Sequence, residues 1–152
     1  MIAWQYLDKR SATIKALKDF RDMQFIVENH EKEIAEIRSE MSTTGRAVLS
    51  DMPKCQLNPH ARETRIVTAI DEINILEERY NKAVEFTKWF EPAWGRLTDV
   101  EQFVLTEFYS DNQRSGANAR LQYKLNYSES HVERLRQKAL SRLTLMLYGG
   151  IL

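Results

Sequence analysis

Leu125-Asn126-Tyr127-Ser128-Glu129-Ser130-His131-Val132-Glu133-Arg134-Leu135-Arg136-Gln137-Lys138-Ala139-Leu140 is the stretch whose reading decides the fold. A helix is predicted to end at Leu125 and Asn126, because Asn tolerates the left-handed backbone that closes a helix almost as readily as Gly does. Ser128 suits the N-cap of a second helix, with Glu129 in its first turn, where the helix dipole favours an anion. Val132, Leu135, Ala139 and Leu143 fall at steps of three and four, which places them on one face. Ser130, Glu133, Arg134, Gln137 and Lys138 occupy the other face, and they are long, hydrogen-bonding and mostly basic. A short helix, a tight turn and a helix with one apolar and one polar-basic face read as a helix-turn-helix.

Around this motif the charge is uneven. The 152-residue chain has no net charge, which by itself argues against a nucleic-acid binder. Between Arg114 and Arg142, however, seven bases (Arg114, Arg120, Lys124, Arg134, Arg136, Lys138, Arg142) face two acids (Glu129, Glu133), a local balance of +5. The rest of the chain is correspondingly acidic, so a basic C-terminal module follows an acidic one.

Working outward, Leu97-Thr98-Asp99-Val100-Glu101 opens the C-terminal module. Thr98 and Glu101 have the spacing of a capping box. Val100, Phe103, Val104, Leu105 and Phe108 then supply a buried face, and residues 110–117 read as a polar loop before a helix over Ala117–Leu125. Trp89-Phe90-Glu91-Pro92-Ala93-Trp94-Gly95 forms the junction with what precedes it. Pro92 is expected to end or kink the preceding helix, and the large rings to wedge two modules together.

The N-terminal part reads as two long helices. Trp4 to Met41 lacks Gly and Pro and carries a one-sided stripe from Leu7, Ile14 and Leu17 through Ile34, Ile37 and Met41. At 1.5 Å per residue that helix is roughly 55 Å long and cannot bury its stripe alone. Ala61 to Phe90 places Ile66, Ala69, Ile73, Leu76, Tyr80, Ala83, Thr87 and Phe90 at alternating steps of three and four, a coiled-coil seam. Between them, residues 42–60 hold Gly45, Pro53 and Pro59 and read as a break. Helix, break, helix predicts an antiparallel hairpin. Such a hairpin either leaves apolar surface for a homo-oligomer, with a dimer favoured, or is self-contained and only spaces the DNA module.

Other chemistry has little support. Cys55 and His60 invite a metal, but a structural zinc site needs four ligands, and there is no second Cys while His30 and His131 fall in other elements. No Gly-rich phosphate loop appears and Cys55 lacks an activating base, so neither catalysis nor a cofactor is expected. No apolar run is long enough for a membrane span, and the N-terminus lacks a signal-peptide core. A single cysteine fits a reducing cytoplasm.

The residues from Leu125 to Leu143 resemble the last region of bacterial sigma factors, which reads the upstream promoter element. Leu125, Ser128, Val132, Leu135, Ala139, Leu140 and Leu143 match its pattern, and residues 97–105 resemble that region's opening helix. With the long helical N-terminal half, the chain is similar to the ArpU/RinA-type phage and prophage transcription regulators. The strong match covers about a third of the chain. Two places depart from it: the first helix of the motif has Ala117, Asn118 and Gln122 where the pattern has Thr, an apolar residue and a small residue. Glu133 stands where sigma factors commonly have Arg, which makes a different DNA element the expected target.

By position, the resemblance implies groove contacts from Glu129, Ser130, Glu133 and Arg134, with Gln137 close by and Ser128 and His131 completing the helix start. Arg can donate a bidentate pair to guanine, and Glu can accept from cytosine. Arg120, Lys124, Arg136 and Lys138 are assigned to phosphates, which give affinity without sequence information. The expected protein is therefore all-α, with a helical hairpin over residues 1–95 and a sigma-like helix-turn-helix over 96–152. It is expected to bind double-stranded DNA and regulate phage late genes beside RNA polymerase. Two readings of other classes compete: a phage DNA-packaging component of small-terminase type, and a helical interaction protein that binds no DNA.

Overall fold

A computed structural model describes residues 8–46, 59–110 and 115–149. Among these residues the protein is all-α: α1 (Lys9–Arg46), α2 (Pro59–Trp94), α3 (Asp99–Leu105), a π-helical turn (Thr106–Ser110), α4 (Ala117–Leu125) and α5 (Glu129–Tyr148). None of these helices is long and apolar enough to cross a membrane.

The two long helices end later than their sequence signals. Against the expected start near Trp4, α1 begins at Lys9, with Asp8 outside it accepting from Ser11 N–H at 3.2 Å. α1 continues five residues past Met41, through Gly45, to Arg46, so part of the expected break is helical. A glycine so near a helix end costs only about 1 kcal/mol, which neighbouring turns offset. α2 runs two residues beyond Pro92, whereas Pro92 was expected to end or kink it. In a last turn Pro forfeits a single backbone bond, and the helix closes where Gly95 N–H donates to the Glu91 carbonyl at 2.8 Å. The remaining break residues, Cys55 among them, lie outside the described part, as do Trp4 and Leu7 of the first helix's predicted span.

The chain forms two compact units, Met1–Met23 with Glu85–Leu152, and Gln24–Val84. This division differs from the one expected at residue 95. The reason is the core of the first unit: Ala16 and Leu17 from α1, and Phe90 and Ala93 from α2, are buried in one cluster with Leu97, Leu105, Tyr109 and α5's Ala139, Leu140, Leu143 and Leu147. A three-helix motif of this size buries too little apolar surface by itself, and the ends of α1 and α2 supply the missing wall. The aromatic junction therefore lies inside one unit, with Phe90 packed against Phe20 (centroids 4.5 Å apart) and Trp94 (5.9 Å). Trp89 meets Tyr148 edge-on at 5.5 Å. The buried hydroxyls of Thr13 and Thr144 are satisfied by the carbonyls of Lys9 and Leu140, one turn back.

In the second unit the side-chain contacts between α1 and α2 rise along one helix as they fall along the other. His30 stacks on Tyr80 at 4.1 Å, while Glu33 pairs with Arg79. That order is the one antiparallel helices produce. The seam expected from Ile66 onward is buried unevenly: Ala83 is fully covered, Ala69, Ile73, Leu76 and Tyr80 are half-buried, and Ile66 is exposed. Val67 and Ile70 are exposed beside it.

Candidate nucleic-acid interface

The entry to the C-terminal motif is built as its sequence predicts. Thr98 Oγ1 accepts from Glu101 N–H at 3.3 Å while Glu101 Oε2 accepts from Thr98 N–H at 2.9 Å, a complete capping box. The same buried carboxylate accepts from Arg142 Nη1 at 2.9 Å, so Glu101 ties α3 to α5 as well. Val104 is buried against Leu121 of α4 and Val132 of α5, with Phe103, Phe108, Leu125 and Leu135 packed around them. Val100, expected in this face, is instead 37% exposed.

The turn that defines the motif is also formed. Asn126 takes a left-handed conformation (φ 55°, ψ 39°) after α4, and Ser128 caps α5 by accepting from His131 N–H at 3.3 Å. Asn126 is the one non-glycine residue with positive φ among the described residues, which is the role its amide side chain suits. Ala117 and Leu121 are buried despite the departures from the sigma-like pattern in this helix. In α5, Val132, Ala139, Leu140 and Leu143 turn inward.

On the outer side of α5 the candidate residues separate into two groups. Ser128, Glu129, Ser130, His131, Arg134 and Lys138 are exposed. His131 lies edge-on to the Tyr127 ring at 4.4 Å. Arg134 and Lys138, one turn apart, make no hydrogen bond or ion pair with any described residue. Ser130 stands one turn before them, so the three line one strip of the helix.

Glu133, Arg136 and Gln137 form the second group, and they face each other. Arg136 bonds both oxygens of Glu133, and Gln137 Nε2 donates to Glu133 at 2.9 Å. The Arg136 guanidinium also lies over the Phe108 ring at 4.0 Å and donates to the Tyr109 hydroxyl at 3.0 Å. These bonds, led by that from Arg136, hold the Glu133 carboxyl below its ordinary range, and the charge of Arg10 from the first turn of α1 adds to the effect. A carboxylate engaged in this way has little capacity left to accept from cytosine, and Arg136 is a strut between α5 and the π turn. Its expected phosphate role is not what its contacts show.

Arg120 and Lys124 are likewise paired within their own unit, although half of the Lys124 side chain stays exposed. Arg120 Nε donates to Glu107 Oε2 at 3.2 Å, and Lys124 Nζ donates to Glu107 Oε1 at 3.1 Å. Arg120 also reaches the Ser115 carbonyl, and the Lys124 ammonium sits 5.2 Å from the Phe103 ring centre. The Glu107 carboxyl is held below its ordinary range, chiefly by Lys124. Arg114 lies outside the described residues. Of the six described bases in the counted stretch, four are thus paired with acids of their own unit, two of those acids lying outside that stretch. Phe108 belongs to the buried face that its spacing predicts, whereas Glu107 and Tyr109 carry no helical-spacing signal toward α4 or α5, so sequence reading passes over those two.

Among the described residues no group of three or more His, Cys, Asp or Glu side chains could hold a metal ion. No protein-family model, curated protein or solved structure matches this chain.

Proposed function

We propose that the protein is a sequence-specific double-stranded DNA-binding regulator that controls transcription of phage or prophage late genes. The observation that carries this reading is the combination of a formed helix-turn-helix with Arg134 and Lys138, which pair with no described residue, on the exposed strip of α5. In this reading α5 enters the major groove by its N-terminal turns, Arg134 donates to a guanine edge, and Glu129 and Ser130 read neighbouring positions. Lys138 takes a phosphate. The Glu133–Arg136–Gln137 group holds the pose of the helix and does not read bases. The sigma-like resemblance supports a promoter-proximal target and RNA polymerase as a further partner. A homodimer through the helical hairpin, supported by exposed Ile66, Val67 and Ile70, would present two such heads to a two-fold site.

The test is a titration of the full chain with intergenic duplexes from its own phage or prophage, against scrambled duplex, at several salt concentrations. Site-dependent binding that weakens with salt is expected. Arg134→Ala should cost about 1–3 kcal/mol on the preferred site and little on scrambled DNA. Equal binding of all duplexes, or none at modest salt, refutes the reading.

A further inference from the structure

We propose that Glu107 is an internal competitor for DNA phosphates: it withholds Arg120 and Lys124 from the nucleic acid and so sets how tightly the motif binds. The inference rests on the DNA-binding reading above. Glu107 projects from the π-helical turn, which packs against α4. Its two oxygens take one base each, at 3.2 and 3.1 Å, and its side chain is only 14% exposed. Arg120 and Lys124 are one turn apart on α4, so a single carboxylate can bridge both. Both bonds are charge-assisted; the covered carboxylate and the one-third-exposed Arg120 are screened little, and the half-exposed Lys124 more.

A phosphate can recruit these bases only by exchanging one anionic partner for another. That exchange returns little, because a covered carboxylate is left without its cations and faces a polyanion. The trio therefore stays closed on DNA, and the motif binds with fewer phosphate contacts than its basic residues suggest. The depressed Glu107 carboxyl is in keeping with a site that keeps its charge and its partners.

The experiment compares the salt dependence of duplex binding by the full chain and by Glu107→Gln, which keeps the shape and an acceptor oxygen but removes the charge. Each phosphate contact contributes about 0.9 to the slope of log K against log [salt]. Release of Arg120 and Lys124 should steepen that slope by roughly 1 to 2 and tighten binding to specific and scrambled duplexes alike. Adding Arg120→Gln and Lys124→Gln to Glu107→Gln should restore the shallower slope. A slope unchanged in a folded Glu107→Gln protein overturns the proposal.

A second readout needs no variant. The Lys124 ammonium nitrogen resonance of the unaltered protein should stay in place when duplex is added, and a shift to a phosphate-bonded position would overturn the proposal even if Glu107→Gln fails to fold. Failure of the DNA-binding reading looks different: the unaltered protein and Glu107→Gln would both ignore duplex, and the proposal would fall with it. Binding gained only by Glu107→Gln would support the competitor role.

Discussion

Leu17→Ala tests whether the helix-turn-helix folds with the start of α1 as one unit. Leu17 lies far from the motif in sequence, is only 2% exposed, and shares a core cluster with Leu140, Leu143 and Phe90. Truncating a buried leucine costs about 2–5 kcal/mol, from lost transfer energy and from the cavity left behind. Taking about 3 kcal/mol, and 4–8 °C per kcal/mol for a unit of this size, the melting temperature of the first unit should fall by roughly 12–24 °C. Thermal melts followed by near-ultraviolet circular dichroism report on that unit, because Trp89 and Trp94 both belong to it. Amide resonances of α5 should broaden or shift at the same temperature as the tryptophan signal. Residues 96–152 expressed alone should lack a cooperative melt, since they lose Ala16, Leu17, Phe90 and Ala93 together. A cooperative melt of that fragment near the full-chain temperature, or α5 resonances indifferent to Leu17→Ala, would refute the argument.

Arg136→Ala and Arg134→Ala should separate stability from recognition. The first removes the guanidinium shared by Glu133, Tyr109 and the Phe108 face and should destabilise by about 1–3 kcal/mol in denaturant melts. The second should stay within about 0.5 kcal/mol of the unaltered protein, since Arg134 is exposed and pairs with no described residue. At the turn, Ser128→Ala should cost about 1 kcal/mol through the lost cap, and Asn126→Val about 1–2 kcal/mol because φ is 55° there, whereas Asn126→Gly should be tolerated. Acid should also weaken the first unit. Folded-state carboxyls of Glu107 and Glu133 lie below the ordinary 4.5, so their pairs stabilise fully above that pH and less as it falls through their lowered values. The gap in melting temperature between Glu107→Gln and the unaltered protein should accordingly close below about pH 4.5.

Local signals were legible to the residue. The Ser128 cap and the Thr98–Glu101 box follow from side chains that satisfy backbone groups within three positions, and the left-handed Asn126 follows from the tolerance of Asn for positive φ. The inward positions of α5 follow from helical period, as do those of α4. Tertiary choices were not legible. Leu17 and Phe90 belong to stripes that run the whole length of their helices, and periodicity does not say where along a stripe the partner changes. The ion pairs illustrate the same limit: Glu101 reaches Arg142 across 41 positions, a distance at which spacing carries no information. Counting bases within a window overstated the outward charge for that reason.

Under the proposed DNA-binding function, the pairing pattern limits how strongly one head can grip DNA. With Arg134 on a guanine edge and Lys138 on a phosphate, α5 of a single head neutralises about one phosphate and its salt slope should be near about −1. Sequence-specific proteins that make 6–10 phosphate contacts have much steeper slopes. A head this lightly charged gains little from non-specific attraction, so a second head or a neighbouring protein on the promoter must supply the rest of the affinity. In the proposed homodimer, dilution below its dissociation concentration should therefore weaken site binding far more than loss of one base contact does. Measuring the slope per protomer, alongside sedimentation of the free protein, decides the matter. A wild-type slope steeper than about −4 per protomer would mean that Arg120, Lys124 or bases from α1 already reach the phosphates, and the account of a lightly charged head would be wrong.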